Sequence, residues 1–121
     1  MSDIKLISPS GNYQLELIYA GEVHFGPPYF SIVAKGFSLD PNLSPVTEEI
    51  LWSPNEKYLC LVVIRSSGQE LMSELNLVSV STGTGTVIER RKGQITVNSV
   101  DDNGEVEYVV RLSGNKVVKR A

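Results

Sequence analysis

Ile50-Leu51-Trp52-Ser53-Pro54-Asn55-Glu56-Lys57-Tyr58-Leu59-Cys60-Leu61-Val62-Val63-Ile64-Arg65 is the stretch that decides the fold of this 121-residue chain. It contains the only tryptophan, the only cysteine and the longest apolar run. Its Ser-Pro-Asn-Glu segment has turn chemistry, because proline presets the backbone at the second turn position and serine and asparagine bond nearby backbone groups. We therefore expect a β-hairpin, with one strand before the turn and Tyr58 to Ile64 after it.

The strand after this turn is expected to be the central strand of the sheet. Its apolar residues do not alternate with polar ones, which is typical of a strand that is covered on both faces. Within it, Cys60 is expected to be a small buried hydrophobic residue rather than a nucleophile. Trp52 is expected to pack in the core or at the end of the sheet.

The remaining sequence predicts further strands and no helix longer than two turns. Tyr13, Leu15, Leu17 and Tyr19 alternate with polar residues, the period of a half-buried strand. Turn-forming residues separate several other short β-prone segments. The predicted fold class is all-β, with antiparallel meanders of about ten or eleven short strands arranged as blade-like sheets or a β-sandwich.

The C-terminal third predicts a three-stranded meander from about residue 94 to residue 119. Asn103-Gly104 is a strong signal for a two-residue hairpin turn. Folding the chain there places Val97 opposite Val110, and a second turn at Gly114-Asn115 places Leu112 opposite Val117. The apolar residues expected on one face are Ile95, Val97, Val106, Tyr108, Val110 and Leu112.

Composition indicates one ordinary globular domain. The chain is 41% hydrophobic and 21% charged, with a net charge of −3, which argues against broad nucleic-acid binding. Residues 1–50 are acidic and residues 89–121 are basic. This asymmetry is compatible with a solvated surface or with head-to-tail contact between copies. The sequence shows no signal peptide or membrane-spanning run and has one cysteine, so a cytoplasmic location is expected.

A short motif recurs along the chain. Ser8-Pro9-Ser10-Gly11-Asn12-Tyr13 and Ser53-Pro54-Asn55-Glu56-Lys57-Tyr58 share Ser-Pro-x-x-x-Tyr, and a degraded third copy is expected within residues 99–108. Repeats of about 45 residues with four strands each are typical of β-propeller blades. Three repeat units follow within the single domain 1–121, at about 4–45, 46–92 and 93–121.

Residues 52–61 and 75–83 resemble segments of TolB-like β-propeller repeats. The first is similar to the family's Trp-Ser-Pro-Asp-Gly-Lys-Tyr-Leu-Ala-Phe, and the second to a blade's third strand with its small Thr-Gly turn. The resemblance implies a propeller-like architecture and protein-interaction roles, and it carries no catalytic residues. Glu56 stands where the family prefers glycine, which leaves open a different turn type. Closed propellers need about four to eight blades, so either copies assemble or the repeats close differently.

The most distinctive surface candidate is the loop at residues 21–30. Its aromatic and imidazole side chains, next to the stiffening Pro27 and Pro28, are suited to a protein interface. The candidate interaction residues are His24, Phe25, Tyr29 and Phe30. The alternative is that Phe25 and Phe30 cap the end of the core.

The sequence predicts no catalytic, cofactor or metal site. His24 and Cys60 are the only residues of their kinds and cannot build a usual zinc site. The leading functional hypothesis is therefore a non-enzymatic cytoplasmic interaction module that binds a protein partner, without nucleic-acid or membrane binding. Two alternatives remain open: a small-molecule-binding domain or minor enzyme with a site near His24, and a subunit that self-assembles to complete a propeller-like structure.

Overall fold

The structure is a computed structural model that describes residues 3–22, 27–65, 71–112 and 115–121. Over these ranges the chain forms ten β-strands and no helix, so the prediction of an all-β chain of short strands is confirmed. In chain order the strands are β1 (Ile4–Ile7), β2 (Gln14–Glu22), β3 (Pro28–Lys35), β4 (Val46–Trp52), β5 (Tyr58–Ile64), β6 (Met72–Ser79), β7 (Thr84–Lys92), β8 (Ile95–Val100), β9 (Val106–Leu112) and β10 (Asn115–Arg120).

The strands form two antiparallel sheets. The large sheet has the order β1-β2-β3-β4-β5-β6-β7, and the small sheet has the order β10-β9-β8. Each strand pairs with its neighbour in the sequence, as hairpin connections allow. The joint between β3 and β4 is held by one residue pair, Phe30 with Val46. The large sheet is therefore one continuous meander with a narrow joint after its third strand.

Strand β5 is buried on both faces, as predicted, but the middle strand of the seven is β4 and not β5. Leu59, Leu61 and Val63 belong to a first core cluster, whereas Cys60 and Val62 belong to a second. Because successive side chains on a strand point to opposite faces, an uninterrupted apolar run serves two cores at once. The predicted hairpin is also confirmed, since β4 and β5 are paired and antiparallel.

The connection between β3 and β4 covers part of the first core cluster. Leu43 is buried in that cluster, and the backbone N–H of Asp40 donates to the Gly83 carbonyl at 2.9 Å. Gly83 has a φ of 75°, and a Cβ there would lie 2.2 Å from the Ser38 carbonyl oxygen. The close approach of this connection to the β6–β7 turn therefore requires glycine.

The small sheet covers the opposite face of the large sheet. The second core cluster contains side chains of β5 and β6 together with the inward residues of β8 and β9. These inward residues include five of the six predicted from the sequence, Ile95, Val97, Val106, Tyr108 and Val110.

The predicted register of this meander is wrong, however. Val97 lies opposite Tyr108, Ile95 lies opposite Val110, and the ladder has an irregularity between Val97 and Ser99. The pairing is offset from the predicted register by one residue at Ser99 and Val100 and by two residues at Ile95 and Val97. The shift by two leaves Ile95 and Val97 on their predicted face, so the apolar pattern alone cannot detect it. The shift by one next to the turn places Val100 in the core instead of Ser99.

The pairing of β9 with β10 is displaced as well, and Gly114 of the second predicted turn lies outside the described residues. Leu112 lies opposite Asn115 rather than Val117, and Val117 lies opposite Val110. This displacement is again two residues, so Val117 still packs against the second core cluster.

The two copies of the Ser-Pro-x-x-x-Tyr motif form the same turn. The first serine's N–H donates to the tyrosine carbonyl at 2.9 Å in both copies, Ser8 with Tyr13 and Ser53 with Tyr58. The serine Oγ accepts the tyrosine N–H in return, at 3.1 and 3.0 Å. The motif therefore encodes a closed local hydrogen-bond pattern, with the serine side chain bonding its own turn.

A third turn of related design joins β8 to β9. The N–H of Asp101 donates to the Glu105 carbonyl at 2.9 Å, and the Asp101 carboxylate accepts the Glu105 N–H. The fourth residue of each turn has positive φ: Gly11 at 82°, Glu56 at 62° and Gly104 at 83°. Glu56 thus adopts the left-handed conformation without changing the turn type, which answers the question left open by the sequence.

Candidate functional site

Two of the four candidate interaction residues lie outside the described residues, namely His24 and Phe25. Phe30 is fully buried in the first core cluster, with its ring edge-on to Tyr19 at 6.1 Å. The expectation that Phe30 offers surface is therefore wrong, and the alternative that it belongs to the core applies. Tyr29 and Phe30 are consecutive in β3, so they point to opposite faces of the sheet.

Tyr29 is partly buried and rests against the backbone of β2. It pairs with Gly21, where a Cβ atom would lie 2.6 Å from the tyrosine Oη. An irregularity in the ladder between Tyr19 and Gly21 produces this pairing. Tyr29 is therefore held on the sheet, and glycine makes room for its ring.

The described end of the 21–30 loop borders a cleft of about 260 Å³ between the two sheets. Pro27 and Pro28 form one wall, and the almost fully buried Val62 and Ile95 contribute apolar surface. The other lining residues come from β4, β6 and the start of β8: Thr47, Glu48, Glu49, Ser73, Gln94 and Thr96. Sequence reasoning found the loop but not the cleft, because its walls are far apart in the chain.

An irregular segment of β4 supplies the acidic side chains of the cleft. Val46 pairs with Val63 and Ile50 with Leu61, so β4 has two more residues than β5 over this interval. Such bulges redirect side chains at sheet edges and next to binding sites. Glu48 is exposed and has no hydrogen bond or ion pair with another described residue.

Glu49 has a different role from its neighbour. Its carboxylate accepts the N–H of Val97 at 2.9 Å, which connects β4 to β8 across the cleft. The sequence predicts that both glutamates are solvated. Glu48 is exposed as predicted, whereas Glu49 is partly buried and structural.

The wall of the cleft on the β8 side is fixed by its connection to β7. Ser73 Oγ donates to the Gly93 carbonyl at 2.6 Å, and the Gly93 N–H donates to the Leu71 carbonyl at 2.9 Å. These bonds set where Gln94 and Thr96 enter the cleft. The site is therefore built on paired strands and does not depend on a free loop alone.

The lining residues can bind a ligand but form no recognisable reaction centre. The cleft offers the Glu48 carboxylate, which has no partner among the described residues, together with hydroxyl groups, an amide and an apolar floor. No group of three or more potential metal ligands occurs among the residues the structure describes. This set suits a cationic or hydrogen-bond-donating group with an apolar stem.

A second polar cluster lies on β6 and was not predicted. Glu74 is almost fully buried, and its carboxylate accepts hydrogen bonds from Arg90 at 2.6 and 2.9 Å and from Asn76 at 3.0 Å. Burial raises the pKa of Glu74, but these hydrogen bonds and the charges of Arg65 and Arg90 outweigh it and lower the pKa. Because both carboxylate oxygens of Glu74 already accept hydrogen bonds from side chains of the protein, this cluster is structural.

No family model matches the chain, and neither the curated proteins nor the solved structures contain a match. The resemblance to TolB-like repeats therefore stays a prediction. Among the described ranges, no helix is long and apolar enough to cross a membrane.

Proposed function

We propose that this protein is a non-enzymatic interaction module that binds a basic segment of a partner protein, with one lysine or arginine side chain seated in the cleft between the sheets. The observation that carries the proposal is Glu48, an exposed carboxylate without a described partner on the lining of a built cleft. Its neighbour Glu49 is already engaged by Val97. Glu48 is therefore the group available to a ligand.

The size and lining of the cleft support a side chain as the occupant. Small-molecule sites usually measure roughly 300–1,000 Å³, and this cleft has about 260 Å³. Val62 and Ile95 suit the aliphatic stem of a basic side chain, while Glu48 suits its charged head. The acidic character of the chain, with a net charge of −3, also favours a basic partner.

The test is a titration of the ¹⁵N-labelled protein with N-acetyl-arginine amide and N-acetyl-lysine amide. We expect chemical-shift changes at Thr47, Ser73 and Thr96. A charge-assisted hydrogen bond contributes about 1.5–3 kcal/mol, so Glu48→Gln should weaken binding by about tenfold or more. The matched control is Glu105→Gln, an exposed carboxylate in the third turn.

Three results would overturn the proposal. One is that neither cationic compound shifts the amide signals of the cleft at concentrations where the neutral control, N-acetyl-glutamine amide, also leaves them unshifted. Another is equal affinity of the Glu48→Gln and Glu105→Gln variants. Because Debye screening weakens exposed ionic contacts, a binding constant that does not change with salt concentration would also contradict the assigned role of Glu48.

Self-association is the second candidate function, favoured by the open ends of the large sheet. Neither β1 nor β7 pairs along its outer edge with another described strand. β7 is nine residues long, its first four residues are exposed, and Val87 is 47% exposed. Such edges are templates for pairing with another chain. Light scattering over a range of protein concentrations tests this candidate. Self-association predicts a dimer or larger assembly, which Val87→Lys should dissociate. A protein that stays monomeric at all concentrations would rule out self-association.

A further inference from the structure

The small sheet is joined to the large sheet by packing and by a few side-chain contacts. No ladder connects the two sheets among the described strands. Their shared apolar surface is the second core cluster, which includes Cys60 and Val62 on one side and Val97 and Val110 on the other. A layer attached in this way can separate without breaking a strand pairing.

Carboxylates supply polar contacts at three separate places of this junction. Glu49 accepts from Val97 N–H at 2.9 Å, at β8. Asp102 accepts from the Asn55 N–H at 2.7 Å, at the turn between β8 and β9. The other polar contacts are Asn55 Nδ2 to the Asp102 carbonyl at 3.3 Å and the two bonds at the Gly93 connection.

The third place is Glu89 on β7, which contacts both remaining strands of the small sheet. Tyr108 of β9 donates its hydroxyl to Glu89 at 2.7 Å, and Lys119 of β10 donates at 3.1 Å. Arg91 on the same strand as Glu89 donates at 3.2 Å. On the β6 side, Glu89 pairs with the apolar Leu75. Glu89 therefore joins the large sheet to β9 by a hydrogen bond and to β10 by an ion pair.

We propose that the small sheet is an acid-releasable layer: protonation of Glu89 undocks β8–β10 from the large sheet before the large sheet unfolds. A protonated Glu89 is a weaker acceptor for Tyr108, and it leaves Arg91 and Lys119 without their counter-charge in a half-buried place. Released from this contact, the layer is held mainly by apolar packing. The face exposed on undocking includes Cys60, Val62 and Leu75.

The pKa of Glu89 is shifted in the direction that release in acid requires. Burial raises the pKa of Glu89, but hydrogen bonds from Tyr108 and Lys119 and the nearby positive charges outweigh it, so the pKa is lowered in the folded state. A lowered folded-state pKa means that the contact stabilises docking at pH values above the unfolded pKa of about 4.3. That stabilisation is lost as the pH falls through the folded-state value.

Two native side chains report on the two faces of the large sheet. Cys60 is fully buried under the small sheet, and burial raises the pKa of its thiol to about 12. Trp52 packs on the other face, stacked on Tyr13 at 5.8 Å. Undocking of the small sheet therefore exposes the thiol while leaving the tryptophan in place.

The experiment follows both reporters in the full chain from pH 7 to pH 3. Cys60 reactivity is measured with 4,4′-dithiodipyridine, which reacts in acid, and is normalised to the urea-unfolded protein at each pH. Trp52 fluorescence is recorded in parallel. We expect normalised reactivity to rise by up to about tenfold per pH unit within the acid transition, while Trp52 emission is unchanged.

Variants link the transition to the proposed contact. Glu89→Gln should raise Cys60 reactivity at pH 7 and flatten its pH profile. Tyr108→Phe, which keeps the ring, should shift the profile to higher pH, while Glu105→Gln should leave it unchanged. The proposal is overturned if Cys60 and Trp52 respond at the same pH, if Cys60 stays protected down to global unfolding, or if neither Glu89→Gln nor Tyr108→Phe alters the profile.

Discussion

The backbone N–H of Ser10 donates a hydrogen bond of 2.8 Å to the carboxylate of Glu56, which lies 46 residues further along the chain. Asn55 makes the equivalent bond to the Asp102 carboxylate at 2.7 Å. In both cases the donor is the third residue of one turn and the acceptor belongs to the next turn. The three turns therefore form a row connected by carboxylates, and this row continues from the large sheet onto the small sheet.

The amide of Ser10 should report the ionisation of Glu56. Hydrogen bonds from Ser10, and then Ser8, lower the pKa of the Glu56 carboxyl. We expect the Ser10 amide shift to titrate below the usual glutamate range near pH 4.3, because the contact persists until the carboxylate is protonated. The measurement is a pH series of ¹⁵N spectra. A Ser10 amide that titrates identically in Glu56→Gln would contradict this contact.

Gly83→Ala should destabilise the protein more than Gly93→Ala. Both glycines have positive φ, so both substitutions incur about 1–2 kcal/mol of backbone strain. At Gly83 the new Cβ also meets the Ser38 carbonyl oxygen at 2.2 Å, whereas at Gly93 the space is open. Forcing the β3–β4 connection away adds about 1–3 kcal/mol. Urea unfolding measures the difference, and equal losses would show that the connection does not approach Gly83 closely.

Leu61→Ala should lower the free energy of unfolding by about 2–5 kcal/mol. Leu61 is fully buried at the centre of β5, and the surrounding strands cannot collapse onto the space left by its side chain. The control is Val33→Ala, because Val33 is 44% exposed on β3. Its cost should stay within about 0.5 kcal/mol. Similar losses for the two variants in chemical denaturation would be incompatible with β5 as a strand covered on both faces.

Arg90→Ala should cost about 1–3 kcal/mol, because it removes two hydrogen bonds from the buried Glu74 carboxylate. The pKa of Glu74 should then rise, so the acid-side loss of stability should begin at higher pH. Arg120→Ala is the matched control, since its ion pair with Glu107 is exposed and should contribute about 0–1 kcal/mol. Thermal unfolding at pH 4 and pH 7 distinguishes them, and indistinguishable pH profiles would refute the role of Arg90.

Local signals in the sequence predicted those features whose causes are local. The Ser-Pro turn of residues 53–58 and the unbroken apolar run after it are sufficient for the β4–β5 hairpin and for burial on both faces. The alternation of Val106, Tyr108 and Val110 was sufficient to assign their common face. The register failed because the Asp101 side chain closes a wider turn than Asn103-Gly104 alone suggests, and because an irregularity between Val97 and Ser99 adds a second residue of offset.

The candidate site was only partly predictable, for a related reason. Pro27 and Pro28 marked the correct loop, but the other walls of the cleft come from strands 20 to 70 residues away. Phe30 looked like interface material because it is aromatic and close to prolines. Its packing among distant residues of the first core cluster, absent from any local pattern, places it in the core instead.

The sequence by itself determined that this protein is all-β, that β5 is an interior strand covered on both faces and that its turns repeat a serine-centred hydrogen-bond design. These properties depend on residues within one turn or one strand, where spacing dictates geometry. Only the tertiary structure decided that Glu56 and Asp102 join neighbouring turns, that Glu48 is left available on the lining of a cleft, and that Glu89 meets Tyr108 and Lys119. The physical reason is that carboxylates act through partners brought close by the packing of distant strands, and a linear pattern does not contain that proximity.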